Sequence, residues 1–113
     1  MKSEINNQVL INFGQAANTY NQLAHLQRAI AWRLAKQCSK ENIPSGMWVD
    51  LGSGTGLLAD AIEDLHPTKS ILRVDGSPKM LEHRRYGSSA QICDLNLGLP
   101  SWPKKPALLA SNF

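Results

Sequence analysis

The chain has 113 residues, of which 42% are hydrophobic, and its formal net charge is +3 at neutral pH. This length supports one small domain with a core, and no apolar run reaches the roughly 18 residues that a membrane-spanning helix requires. The basic residues are scattered rather than gathered into a dense stripe, which argues against a nucleic-acid partner. The N-terminus lacks the pattern of a secretion signal, and Cys38 and Cys93 have neither metal-binding nor disulfide-framework spacing. We therefore predict a cytoplasmic protein with reduced thiols and without a metal site.

The N-terminal third is predicted to be helical. Two apolar series follow helical spacing on either side of Gly14, which weakens or ends the first: Ile5, Val9, Leu10 and Phe13, then Leu23, Leu26, Ile30 and Leu34. The turn-forming residues 42–46 (NIPSG) separate this region from the rest of the chain. We therefore divide the chain into an N-terminal helical arm (residues 1–44) and an α/β core (residues 45–113).

The core alternates between apolar runs and helical patterns. Strands are predicted at residues 47–51, 70–74, 90–93 and 107–111, and helices at residues 57–65 and 77–87. Residues 94–106 contain three prolines and are predicted to form a loop. Strands that alternate with helices predict a doubly wound α/β fold, in which right-handed crossovers connect parallel strands.

The last predicted strand lies close to the final residue of the sequence. Natural domains seldom finish on a bare apolar strand, because its unpaired edge invites aggregation. We therefore expect this sequence to be the N-terminal part of a longer fold, truncated after its fourth strand.

Residues 49–56 read VDLGSGTG, a glycine-rich loop between a predicted strand and a predicted helix. A dinucleotide-binding loop counted from Gly52 would need a glycine at Leu57, and the Gly-Lys-Ser/Thr of a phosphate-binding P-loop is missing. Asp50, at the end of the strand, would repel a phosphate and suits a cationic ligand. The predicted ligand is S-adenosylmethionine, which carries an ammonium group, a sulfonium group and no phosphate; a turn that only packs helix against strand is the alternative. The predicted cofactor-binding loop comprises Gly52, Ser53, Gly54, Thr55 and Gly56.

Two further acidic residues follow the next two strands. Asp75 ends the second strand, where a carboxylate can accept hydrogen bonds from both hydroxyls of a ribose. Its alternative role is that of a turn or helix-capping aspartate. Asp94 ends the third strand, where its carboxylate could accept a hydrogen bond from the amine of an adenine while Leu95 packs on the ring. The alternative is that Asp94 is a plain loop residue. Because parallel strands end at the same edge of a sheet, these acids are predicted to converge with Asp50 there.

The combination of VDLGSGTG, LRVDGSPKML (residues 72–81) and CDLNLGLP (residues 93–100) resembles the class I S-adenosylmethionine-dependent methyltransferases. That resemblance implies a Rossmann-like, mostly parallel sheet with an N-terminal helical arm. It also implies that the glycine loop holds the methionine part of the cofactor, Asp75 the ribose and Asp94 the adenine. Further cofactor contacts that it implies are Gly76, Ser77, Met80, Leu95 and Asn112.

The N-terminal stretches FGQAANTY (residues 13–20) and AHLQ (residues 24–27) resemble the malonyl-carrier-protein O-methyltransferases of biotin biosynthesis. The resemblance implies that the arm covers the cofactor, that Tyr20 touches it and that an acyl carrier protein is the substrate partner. Alternatively, Tyr20 is only a packing aromatic. A carboxylate acceptor is already ionised and needs no general base, so no histidine is assigned a catalytic role and the catalytic residues remain unassigned. Another small-molecule methyltransferase, a non-catalytic cofactor-binding fragment and a nicotinamide-dependent oxidoreductase are the alternative functions.

Overall fold

A computed structural model describes the backbone of residues 2–112 and the side chains of residues 21–112. The chain begins with one long helix and continues as an alternation of short strands and helices. In chain order the elements are α1 (Lys2–Lys40), β1 (Trp48–Leu51), α2 (Leu57–Leu65), β2 (Ile71–Asp75), α3 (Pro78–Glu82), β3 (Ala90–Ile92) and β4 (Leu108–Ala110). The predicted α/β class is confirmed.

The four strands form one parallel sheet in the order β3-β2-β1-β4. Asp50 on β1 is in register with Arg73 on β2 and with Ala110 on β4. All carboxyl ends of the strands therefore lie at the same edge of the sheet, as a Rossmann-like fold requires. β4 is an outer strand of this four-stranded sheet, and its Leu109 is 47% exposed, so the predicted apolar edge is present.

The core lies where α1 and α2 pack on the sheet. α2 buries Leu58, Ala59, Ala61 and Ile62, which recur at helical spacing on one face. α1 contributes the small side chains of Ala31 and Ala35, both fully buried in the same cluster. Small residues at this contact allow the two helices to approach closely, which fixes α1 beside α2.

A buried arginine joins α2 to the sheet. Arg73 on β2 is 0% exposed, and its guanidinium donates to Asp60 Oδ1 (2.7 Å) and to Glu63 Oε1 (2.9 Å). Burial alone would raise the pKa of Glu63, but the hydrogen bonds from Arg73 and from the Ile71 N–H outweigh it and lower that pKa. Arg85 is exposed and forms further ion pairs with α2, to Asp60 (3.1 Å) and Asp64 (2.8 Å).

Several element boundaries differ from the sequence-based predictions. α1 continues past Gly14 as one helix, since a single glycine costs a helix only about 1 kcal/mol. α3 ends at Glu82 instead of residue 87, and the Arg84 side chain beyond this end donates to the carbonyl oxygens of Leu81 and Ser88. The loop predicted at residues 94–106 contains a short 3-10 helix, Leu95–Leu97. Each strand is also one or two residues shorter or shifted by one residue.

Within residues 2–112, no helix is both long enough and apolar enough to cross a membrane. Among residues 21–112, whose side chains are described, there is no cluster of three or more His, Cys, Asp or Glu side chains placed to bind a metal ion.

Candidate functional site

The glycine loop between β1 and α2 has the left-handed backbone that its sequence requires. Gly52, Gly54 and Gly56 have φ angles of 65°, 57° and 98°, values at which other residues are strained. A Cβ on Gly56 would lie 3.1 Å from Arg73 Nε, whereas a Cβ on Gly54 would meet no atom within 4 Å. Gly56 is therefore needed for packing over the buried arginine, whereas the space beside Gly54 is open.

Asp75 ties the glycine loop to the turn after β2. Its Oδ2 accepts from the Gly54 N–H (2.9 Å), and its Oδ1 accepts from the Ser77 N–H (2.8 Å). The turn role that the sequence left open for Asp75 is thus present. Each carboxylate oxygen still has a further lone pair, so the ribose contact stays a prediction compatible with this geometry.

Asp50 is the most unusual polar residue of the site. Its side chain is 1% exposed, and within the part of the chain that the structure describes neither carboxylate oxygen has a hydrogen-bond partner. Burial raises the pKa of Asp50 to about 7; the charge of Arg73 and the backbone N–H of Ala59, which lies outside hydrogen-bonding geometry, oppose this rise. A buried carboxylate without a partner is costly, and such a group is a candidate for binding a ligand that supplies the missing partner.

Asp50 and the glycine loop line a cavity of about 350 Å³ at the carboxyl edge of the sheet. The predicted site residues that the structure brings together there are Asp50, Gly52, Ser53, Gly54, Thr55, Met80 and Asn112. Those predicted but not among its lining residues are Gly56, Asp75, Gly76, Ser77, Asp94 and Leu95. The side chain of Tyr20 lies outside the described residues, so its predicted contact stays a prediction.

The cavity also has lining residues that the sequence did not assign to the site: Gln27, Ile30, Leu57 and Leu58. Ile30 belongs to an apolar series that helical spacing revealed, but that spacing does not show where α1 lies relative to the sheet. Leu57 and Leu58 begin α2, directly after the glycine loop. None of the described residues that line this cavity is basic, which leaves an anionic ligand without a countercharge.

Asp94 lies beside the end of β2 rather than in the cavity. The Cys93 N–H donates to the Asp75 carbonyl oxygen (3.0 Å), and a Cβ on Gly76 would lie 3.6 Å from Asp94 Cα. Asp94 itself is exposed and accepts from the Asn96 N–H (3.0 Å) as the cap of the 3-10 helix. The two strand ends that carry Asp75 and Asp94 are thus adjacent, as predicted, and Leu95 is half-buried next to them.

A second cleft, of about 530 Å³, lies between α1 and the residues that come after β4. It shares Ile30 and Asn112 with the first cavity, and its remaining lining residues are Arg33, Leu34, Gln37 and Ser111. The Ser111 Oγ donates to the Leu51 carbonyl oxygen (2.8 Å), which fastens the end of β4 to the end of β1. The two spaces are therefore adjacent, and Ile30 and Asn112 lie between them.

Sequence comparison relates the chain to curated proteins named malonyl-[acyl-carrier protein] O-methyltransferase. It is 32% identical to the Laribacter hongkongensis protein over 68% of this chain, and 31% identical to the Legionella pneumophila protein over 72%. A malonyl-[acyl-carrier protein] O-methyltransferase 2 from Coxiella burnetii is 27% identical over 72% of the chain. The chain resembles the class I methyltransferases.

The matched segments cover only part of these relatives. They span 26%, 28% and 33% of the Laribacter, Legionella and Coxiella proteins, respectively. No family model matches the chain. The chain therefore matches at most about a third of the length of these curated relatives.

Proposed function

We propose that the site binds S-adenosylmethionine and that the chain is the cofactor-binding part of a methyltransferase. The observation that carries this proposal is the buried carboxylate of Asp50, which has no hydrogen-bond partner among the described residues and borders a cavity whose described lining has no basic residue. A nucleotide diphosphate would meet an uncompensated negative charge there, whereas an ammonium group would supply the partner that the carboxylate lacks. The open face of Gly54 leaves room for the ligand beside this charge.

Each part of the cofactor has a proposed partner. Asp50 and the loop from Gly52 to Gly56 would hold the methionine part, together with Asn112, which also lines the cavity. Asp75, assisted by the turn residues Gly76 and Ser77, would hold the ribose. The adenine would lie near Met80, Asp94 and Leu95. When bound, the cofactor supplies an electrophilic methyl group; the residues of this chain bind and orient it.

We further propose that the methyl acceptor is a carboxylate, such as the malonyl group on a carrier protein. The names of the curated relatives support this substrate. A carboxylate with a pKa of about 4 is ionised at neutral pH and needs no base to remove a proton. The work of the protein is then to align the reactants and to exclude water.

The second cleft is the proposed approach for the acceptor. It adjoins the cofactor cavity at Ile30 and Asn112, and Leu34 adds apolar surface. The side chains of Ile30 and Leu34 would shield the reacting carboxylate from water, and the other lining residues of this cleft are polar. The acyl carrier protein itself would remain outside, with only its malonyl-bearing arm entering the cleft.

Titration calorimetry of the purified chain tests the cofactor assignment. We expect S-adenosylhomocysteine to bind with a Kd in the micromolar range or weaker, equivalent to about −8 kcal/mol or less in magnitude, and NADH not to bind. The exposed outer strand leads us to expect weak binding by this chain alone, and a nanomolar Kd would contradict that expectation. Binding of NADH in preference to adenosylhomocysteine would refute the cofactor assignment in favour of an oxidoreductase.

Methyl transfer is tested separately, with methyl-labelled S-adenosylmethionine and a malonyl-loaded carrier protein. Label that appears on the malonyl group supports the acceptor assignment. Cofactor binding without any transfer would instead favour a non-catalytic cofactor-binding module. A matched sample that carries a neutral acyl group in place of the malonyl group should receive no label, because it has no carboxylate to methylate.

A further inference from the structure

We propose that the site couples cation binding to the release of a proton from Asp50, so that ligand charge is recognised through the protonation state of a buried carboxyl group. The inference rests on the proposed function, and it adds a form of regulation by pH to the same site. The free chain would hold Asp50 partly protonated. A cationic ligand would then bind to the carboxylate form and displace the proton.

The geometry around Asp50 provides no resident cation among the described residues. Arg73 is its register partner on β2, but the terminal nitrogens of that guanidinium donate to Asp60, Glu63 and the Ile71 carbonyl oxygen. Its ion pairs are with Asp60 and Glu63. Arg73 therefore acts on Asp50 only through its field, and the two oxygens of Asp50 are left for a ligand.

The charged groups that influence Asp50 come from two elements. β2 provides Arg73 and Asp75, and α2 provides Asp60 together with the backbone N–H of Ala59. Asp75 and Asp60 raise the pKa of Asp50, whereas Arg73 and the N–H lower it; burial has the largest effect and brings the value to about 7. The other elements at the cavity contribute neutral residues, namely Gln27 and Ile30 on α1, Met80 on α3 and Asn112 after β4.

The proposed step is a simple exchange. The O–H bond of the Asp50 carboxyl group breaks, the proton passes to the buffer, and the carboxylate pairs with the ammonium group of the ligand. No electron is transferred and no other bond changes. Below a pKa of about 7, the affinity for a cationic ligand should then rise by up to about tenfold for each unit of pH.

Calorimetry in two buffers of different ionisation enthalpy measures the protons that are released. For S-adenosylhomocysteine we expect about 0.9 proton per ligand at pH 6 and about 0.5 at pH 7, given a pKa near 7. Adenosine lacks the ammonium group and should bind without releasing a proton. A carboxyl ¹³C NMR titration of the free chain should place the Asp50 midpoint near pH 7.

Two variants separate the role of Asp50 from a general effect of charge. Asp50→Asn should abolish proton release and weaken S-adenosylhomocysteine binding at pH 7 by tenfold or more, with adenosine binding unchanged. Asp64→Asn removes an exposed carboxylate on α2 that pairs with Arg85; it should retain the proton release of the unsubstituted chain.

The outcomes distinguish the two proposals. If adenosylhomocysteine binds without proton release and Asp50 titrates near pH 4, the coupling is refuted while the cofactor assignment stands. If neither adenosylhomocysteine nor adenosine binds, the cofactor assignment fails and the coupling fails with it. Proton release that persists in Asp50→Asn would also overturn the coupling, because another group would then be its source.

Discussion

Replacing Arg73 with methionine tests how much the buried ion network contributes to the fold. Met keeps much of the length of the side chain but removes the guanidinium, and with it the hydrogen bonds of 2.7 to 3.2 Å from Arg73 to Glu63 and Asp60. Removing one partner of a buried ion pair typically costs about 3–5 kcal/mol. The side chain of Asp60 is 31% exposed and Arg85 also contacts it. We therefore expect Arg73→Met to lower the free energy of unfolding by about 3 kcal/mol, near the lower limit of that range.

Urea unfolding followed by tryptophan fluorescence measures this change, since Trp48 is buried in the core. A loss of about 3 kcal/mol is a large fraction of the roughly 5–15 kcal/mol that usually stabilises a domain. Arg85→Met is the matched control, because the Arg85 side chain is 41% exposed and exposed ion pairs contribute about 1 kcal/mol or less. If the two substitutions lowered the unfolding free energy equally, the conclusion that burial determines how much each arginine stabilises the fold would be refuted.

The pH dependence of this difference has a definite sign. The folded chain lowers the pKa of Glu63 below its ordinary value of 4.5. The stabilisation that comes from ionised Glu63 is therefore fully present above about pH 4.5 and is lost as the pH falls through the lowered folded value. The gap in unfolding free energy between the unsubstituted chain and Arg73→Met should thus narrow in acid, and a gap that widened below about pH 4 would contradict this assignment.

Three further predictions concern the site and the sheet edge. Because the folded state raises the pKa of Asp50 from 3.8 to about 7, its stabilising protonated form is lost as the pH rises through 7. Asp50→Asn should therefore be more stable than the unsubstituted chain at about pH 8, by up to about 4 kcal/mol. Urea titrations measure this gain in unfolding free energy, and a gain of the same size at about pH 4 would refute the reasoning. Gly54→Ala should lower Tm less than Gly56→Ala, because only the latter methyl group meets Arg73, yet Gly54→Ala should weaken adenosylhomocysteine binding by calorimetry. Leu109→Lys should reduce aggregation in light scattering with little change in Tm, because Leu109 is exposed on an outer strand.

Local sequence patterns predicted most of the core of the fold. The apolar runs located the strands to within one or two residues, since buried parallel strands need continuous apolar side chains. The glycine spacing located the loop, because left-handed backbone at three alternate positions has few other solutions. Both are properties of neighbouring residues, which a sequence displays directly.

The missed features depend on contacts between distant residues. The position of α1, which brings Gln27 and Ile30 to the cavity, results from packing against α2 and is not encoded in helical spacing. Arg73 lies within a predicted strand, and nothing in its neighbours indicated that its partners are Asp60 and Glu63 on the preceding helix. The difference between Gly56, where a Cβ would meet Arg73, and Gly54, where it would meet no atom, likewise depends on that arginine.

The hydrogen bonds of Asp75 would lower the entropy cost of the proposed ligand binding at this site. Its two oxygens hold the N–H groups of Gly54 and Ser77 and so connect the glycine loop with the turn after β2. The loop is therefore ordered before a ligand arrives, and its conformational entropy is lost during folding instead of during binding. Association should then proceed without a slow loop-closing phase, and the ligand would dock onto a surface that is already shaped for it.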